Sequence, residues 1–296
     1  MKKIKAVWEL MRLEHGVMLF LGILVGSVIA LGGVSLPSWD KFILTFFTAL
    51  FLEASTFALN DYFDLDIDIV NKRDDRPLVR GDIKPKTALV VFAVLFPLGI
   101  ICSYFVNFAC FIIALITALF AILYDSRMKK IKFLGNFYIA YVMAIPFVFG
   151  GVAVLEEKTF SFAIDPSIYV IAFIAFLAGS GREIMKDVQD YDGDKKKGTR
   201  SFPKYIGKHK SNIIAGLFYI LAICLSFIPF LIQTFTLYYR NYVYLFLVLI
   251  CDIMLFTTAI VLIFKKDPPL KLFRKISLFS IFVGLLAFLI SVFISL

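Results

Sequence analysis

Asn60, Asp61, Asp64 and Asp68 form one polar string and Asp187, Asp190 and Asp194 another, in a chain of 296 residues that is 60% hydrophobic. Carboxylates are costly beside hydrocarbon, so their spacing asks for a reason. On a helix Asn60, Asp64 and Asp68 recur at i, i+4 and i+8, drifting about 80° in all, with Asp61 a step to one side. Asp187, Asp190 and Asp194 recur at i, i+3 and i+7 and again share a face. Like charges one turn apart repel, so neither stripe serves helix stability. Carboxylate oxygens on successive turns suit a hard divalent cation, and Mg²⁺ keeps positions for water and substrate phosphate. Arg182 and Lys186 fall one and two turns before the second stripe and are expected on its side, where they would take phosphate oxygens that the metal leaves free. The expected chemistry is a diphosphate held through Mg²⁺.

Apolar runs of about 20 residues, each long enough to cross roughly 30 Å of hydrocarbon, must position these strings. Nine are expected, near 14–34, 41–62, 87–106, 108–124, 133–154, 167–185, 211–233, 242–264 and 275–295. The first is long, lacks a small-residue cleavage site and is read as a span, not a cleaved leader. The chain is therefore expected to be an all-α, multi-pass membrane protein forming a single domain over 1–296. With nine spans, 28 of the 31 Lys and Arg fall on one side and 3 (Lys41, Lys158 and Arg240) on the other. The positive-inside rule puts the N-terminus and both acidic strings at the cytoplasm and the C-terminus outside. The net charge of +9 is thereby a matter of topology, and no nucleic-acid partner is expected. Cys102, Cys110, Cys224 and Cys251 all lie in apolar runs without C-x-x-C spacing and read as buried small hydrophobes. The two acidic strings resemble each other, a faint sign of internal duplication.

The sequence resembles the UbiA superfamily of intramembrane prenyltransferases. That family's N-D-x-x-D-x-x-x-D motif stands at Asn60, Asp61, Asp64 and Asp68, followed by R-P-L at Arg76, Pro77 and Leu78. Its D-x-x-D-x-x-x-D motif stands at Asp187, Asp190 and Asp194. "YDSRMKK" is similar to its Tyr-to-Lys motif, with Tyr124, Lys129 and Lys130, although Asp125 and Met128 replace the usual Ser and Leu. Arg12 matches an Arg-Pro before the first span, with Leu13 in place of Pro. The resemblance implies a barrel-like bundle around a central cavity, capped by two Asp-rich cytoplasmic loops. It implies two Mg²⁺ ions on the seven motif residues, with Asn60, Asp64, Asp68, Asp187, Asp194 and Tyr124 serving catalysis. Arg12, Arg76, Lys129, Lys130, Arg182 and Lys186 would bind phosphate or diphosphate.

The string "GREIMKDVQDYDGD" is most similar to the archaeal ether-lipid branch of that family. This implies a geranylgeranyl group passing from geranylgeranyl diphosphate to the free hydroxyl of geranylgeranylglyceryl phosphate, with release of diphosphate. The partners expected are an isoprenoid diphosphate donor, a lipid-phosphate acceptor and membrane lipids. Positive charge near the leaving diphosphate would stabilise the transition state. Tyr124, Tyr138 and Tyr141 are candidates to face an allylic cation. No residue is assigned as base for the acceptor hydroxyl, and His15 and His209 read as structural. An aromatic or quinone-precursor acceptor is the alternative. A CDP-alcohol phosphotransferase is rejected because Lys196 and Lys197 stand where its signature needs Ala-Arg. A transporter would place acids near the bilayer midplane, not at helix ends.

Overall fold

The computed structural model describes residues 2–33, 35–70, 72–126, 131–155, 161–196 and 199–294. Nine of its helices are long and apolar enough to cross a membrane, in register with the expected runs. A short helix α1 (Lys2–Met11) precedes them. Two of its residues, Ala6 and Leu10, are buried against Ala58, Leu78 and Ile83, while Ile4 and Trp8 stay exposed. Lysines beside an exposed Trp suit a helix lying in the interface. The spans follow as α2 (Gly16–Ala30), α3 (Trp39–Val70), α4 (Pro85–Val106), α5 (Phe108–Ser126) and α6 (Lys132–Ala153). After α7 (Pro166–Lys196) come the one-turn α8 (Phe202–Ile206), α9 (Lys208–Ser226) and the short α10 (Ile228–Leu231). Helices α11 (Tyr242–Phe264) and α12 (Leu270–Phe293) end the chain.

The spacing put the acidic strings on helix ends, and the resemblance implied capping loops. In the structure they are carried by the helices themselves. Two helices, α3 with 32 residues and α7 with 31, run on past their apolar portions. No proline or glycine interrupts α3 after Asn60, so its hydrogen-bond ladder continues through Asp68. It closes where Lys72 takes φ 53 and the Arg73 N–H bonds back to the Asp68 carbonyl at 3.0 Å, a left-handed helix stop. Pro85 then opens α4 at a position where a missing N–H is harmless. Between α4 and α5, Asn107 turns the chain: its Oδ1 accepts from Cys110 N at 2.8 Å while its Nδ2 donates to the Val152 carbonyl.

Glycines bring α2 and α6 into direct backbone contact. A Cβ on Gly26 would stand 2.0 Å from the Phe147 carbonyl oxygen, and one on Gly150 would stand 2.1 Å from that of Ile23. Ser27 Oγ donates to the Gly150 carbonyl across the same crossing at 2.9 Å. Small residues are what allow such proximity in membrane helices. The crossing sets the distance between α2 and the cavity wall formed by α6. Gly26→Val is expected to cost about 2 kcal/mol or more, read as a fall in Tm of about 5 °C or more in detergent. An unchanged Tm would mean that the helices can part without loss.

Candidate active site

Arg12 occupies the bend between α1 and α2 with φ 50 and ψ 45. That left-handed conformation costs a non-glycine residue on the order of 1–2 kcal/mol, and the bend delivers the guanidinium to α3. Its Nη2 donates to Asp61 Oδ1 at 2.5 Å, and its Cζ lies 4.4 Å from the centroid of the Phe57 ring. Arg76, beyond the end of α3, donates through Nη1 to the same oxygen at 2.6 Å. Asp61 is 2% exposed, and its second oxygen, Oδ2, is buried without a hydrogen-bond partner. The loop carrying Arg76 is braced in turn. Arg73 donates twice to Asp75 at 2.8 Å, holding that carboxyl below the usual range, and Arg80 bonds Asp82 and Glu9.

Each acidic string is also tied to a neighbouring helix by an asparagine. Asn60 Nδ2 on α3 donates to Asp125 Oδ1 on α5 at 2.8 Å, which leaves the Asn60 carbonyl oxygen as the atom able to reach a cation. Asn136 Nδ2 on α6 donates to Asp187 Oδ2 on α7 at 2.7 Å, and Lys132 Nζ lies 3.3 Å from Oδ1 of the same carboxylate. Tyr124 stands between the two groups. Asp64, Asp125, Glu183 and Asp187, from α3, α5 and α7, all lie within its electrostatic reach. Its ring stacks on Tyr138, with centroids 5.0 Å apart, and Tyr141 follows at 6.5 Å, its hydroxyl 2.8 Å from that of Thr117. Tyr138 and Thr117 line a partly open apolar cavity between α2, α3, α5 and α6, about 630 Å³ with its open side included. Of the 34 phenylalanines, Phe149 alone is among its described lining residues.

Not all of the expected residues gather here. Arg182 lies five residues, about 140° of helix, from Asp187, so the expectation that it shares the acidic face is revised. Arg182 and Lys186 both pair instead with Glu183, at 3.4 and 3.1 Å, and Arg182 lies within electrostatic reach of Tyr219 on α9. Asp190 is exposed at the far end of α7. Lys129, Lys130 and the Asp194 side chain lie outside the described residues. The sequence reading missed Glu53, Asp125, Asn136 and Glu183. Of these, Glu183 had a signal, since it stands one turn before Asp187 on the same face.

Among the described residues no three or more Asp, Glu, His or Cys are drawn together as a ready-made metal cage. The donor set still fits Mg²⁺, which is commonly held by one or two carboxylates with water and phosphate completing its shell. The orphaned Asp61 Oδ2 is one hard oxygen left to accept.

A profile of the UbiA prenyltransferase family matches residues 19–283. The chain belongs to that family. It is 39% identical to the digeranylgeranylglyceryl phosphate synthase of Archaeoglobus fulgidus over 96% of this chain and 94% of that protein. It is 36% identical to the enzyme of the same name from Methanocaldococcus jannaschii over 94% and 92%. A solved structure described as giving insight into digeranylgeranylglyceryl phosphate synthase superposes with a TM-score of 0.80 at 34% identity, covering 99% of both chains. A UbiA homologue of Archaeoglobus fulgidus bound to DMAPP and Mg²⁺ shares the fold at a TM-score of 0.61 and 19% identity, over 96% of this chain and 99% of that one. This UbiA member thus has the family's helical architecture with the asparagine ties and the arginine pair described above.

Because the Arg12 guanidinium donates to the Asp61 carboxylate, removal of the two should be coupled. Arg12→Ala and Asp61→Asn are expected to lower stability separately, and together by less than the sum, with a coupling of about 1.5 kcal/mol or more. Thermal unfolding of the four proteins in detergent measures this. Additivity within about 0.5 kcal/mol would show that the pair does not hold the bend.

Proposed function

We propose that this enzyme transfers a geranylgeranyl group from geranylgeranyl diphosphate to the free hydroxyl of geranylgeranylglyceryl phosphate, in the formation of archaeal ether lipids. The observation that carries the reading is that Asn60–Asp125 and Asn136–Asp187 tie the acidic ends of α3 and α7 to α5 and α6, two helices that also wall an apolar cavity. A diphosphate belongs at the acidic end and an isoprenoid tail in the cavity. Similarity over nearly the whole chain to enzymes named for the product of this transfer supports the finer choice.

In this reading Asn60, Asp64, Asp68, Asp187, Asp190 and Asp194 would hold two Mg²⁺ ions, and Asp61 would offer only Oδ2 because its other oxygen is taken by Arg12 and Arg76. Bound Mg²⁺ supplies positive charge against the diphosphate as it leaves carbon 1. The protein's own part is to orient and to shield. Arg12 and Arg76, pinned by Asp61, present their remaining N–H groups toward the headgroups. Lys132 and Asn136 hold the Asp187 carboxylate in one rotamer. The stacked tyrosines offer ring faces where an allylic cation would form, and the apolar walls keep water from it. Positive charge gathered at this end supports a cytoplasmic site under the positive-inside rule.

Two results are expected. Asp64→Ala should lower transfer by about a hundredfold or more with little loss of Tm, whereas near-normal turnover at saturating Mg²⁺ would remove Asp64 from the metal site. In competition at equal concentrations, geranylgeranylglyceryl phosphate should be prenylated at least about tenfold better than its dephosphorylated alcohol, since one charge-assisted hydrogen bond is worth roughly 1.5–3 kcal/mol. It should exceed 4-hydroxybenzoate by more. Equal or better transfer to 4-hydroxybenzoate would overturn the acceptor assignment.

A further inference from the structure

Glu53 is the one charged residue among the described lining residues of the 630 Å³ cavity. Its side chain is 19% exposed and sits in the middle of α3. A carboxylate in that setting is expensive, and neither the helix nor the packing needs it. The neighbouring hydroxyls are already engaged: Thr48 donates to the Leu44 carbonyl, Thr56 to that of Glu53, and Thr117 pairs with Tyr141. The Glu53 carboxylate, in contrast, meets His15 Nδ1 at 3.9 Å, an ion-pair distance too long for a direct hydrogen bond. His15 is half exposed, at the start of α2, with its ring edge-on to Phe57 at 5.1 Å. Arg12 and Glu14 are the other charged groups acting on Glu53.

The position is informative. Glu53 precedes Asn60 by seven residues, which returns it to nearly the same helix face about 10 Å deeper along α3. It therefore lies along α3 between the acidic end and the deeper lining residues Thr48 and Ala49. Carbon 1 of a donor held by its diphosphate, and the hydroxyl that attacks it, must meet in that interval.

We infer that Glu53 is the base that takes the proton from the acceptor hydroxyl, and that His15 passes it on to water. The inference rests on the function proposed above, because it needs an O–H nucleophile. In the step, the acceptor oxygen forms a bond to carbon 1 and the bond from carbon 1 to the diphosphate oxygen breaks. The electron pair leaves with the diphosphate. The hydroxyl proton moves to a Glu53 oxygen, and thence through His15 to solvent, restoring the carboxylate. No further reactant is required.

The test uses the full chain in detergent or nanodiscs, with geranylgeranyl diphosphate and geranylgeranylglyceryl phosphate. A positioned base is worth about 10²–10⁴ in rate. Glu53→Gln keeps the shape and removes the basicity, so kcat should fall about a hundredfold or more. The acceptor KM and the equilibrium binding of the donor should stay within about threefold. Glu53→Asp should recover at least about tenfold of the lost kcat. A Glu53→Gln enzyme with kcat within about threefold of the parent would overturn the inference. So would parallel loss of kcat and donor binding, which would make Glu53 a structural partner of His15. If the parent binds donor but prenylates no hydroxyl of this acceptor, the proposed function fails and takes this step with it. That result is told apart from the others because it is seen before any substitution is made.

Discussion

Repulsion among carboxylates at the ends of two apolar helices is the constraint on which the rest of the structure depends. Asp61, Asp64 and Asp68 sit within electrostatic reach of one another on α3, and Asp187 follows Glu183 by one turn on α7. Left alone they would repel one another or take up protons. The fold answers with fixed partners drawn from distant parts of the chain. Arg12 and Arg76 converge on Asp61, Asn60 reaches Asp125, and Lys132 and Asn136 hold Asp187. With those partners in place, Asp61 Oδ2 is still a hard oxygen without a hydrogen bond, suited to a metal ion and, through it, to an anion.

The apolar half of the site follows from different physics. Glycines at the crossing of α2 and α6 let the helix backbones touch, and the cavity opens beside that contact between α2, α3, α5 and α6. A polar end and an apolar chamber thus meet along α3, one helix long enough to carry both. Glu53, Phe57, Asn60, Asp64 and Asp68 succeed one another on it, turn by turn. A lipid substrate with a charged head and a long tail matches that order.

Much of this was legible in the sequence. The nine apolar runs and the two acidic stripes were read from hydropathy and spacing, and the helices fall where those patterns put them. The extension of α3 and α7 through their acids followed from the helical spacing of those acids. The rest was hidden because it depends on contacts across the chain. Asn136 meets Asp187 51 residues away, and Asn60 meets Asp125 65 residues away, with no local pattern to announce either pair. Glu53 stood as a lone acid in an apolar run, and only the cavity beside it gives it meaning. Arg182 showed the opposite error: nearness in sequence suggested a shared face, but five residues carry a side chain well around the helix.

The central claim is that the acids of α3 and α7 act together, holding Mg²⁺ only in company with a diphosphate. Calorimetric titration of Mg²⁺ into the full-length protein, with and without an unreactive thiol analogue of geranylgeranyl diphosphate, tests this directly. Tight Mg²⁺ binding is expected only when the analogue is present, and it should be lost when either Asp68 or Asp187 is changed to Asn. Analogue binding that is equally tight without Mg²⁺, or that survives both substitutions, would contradict the account.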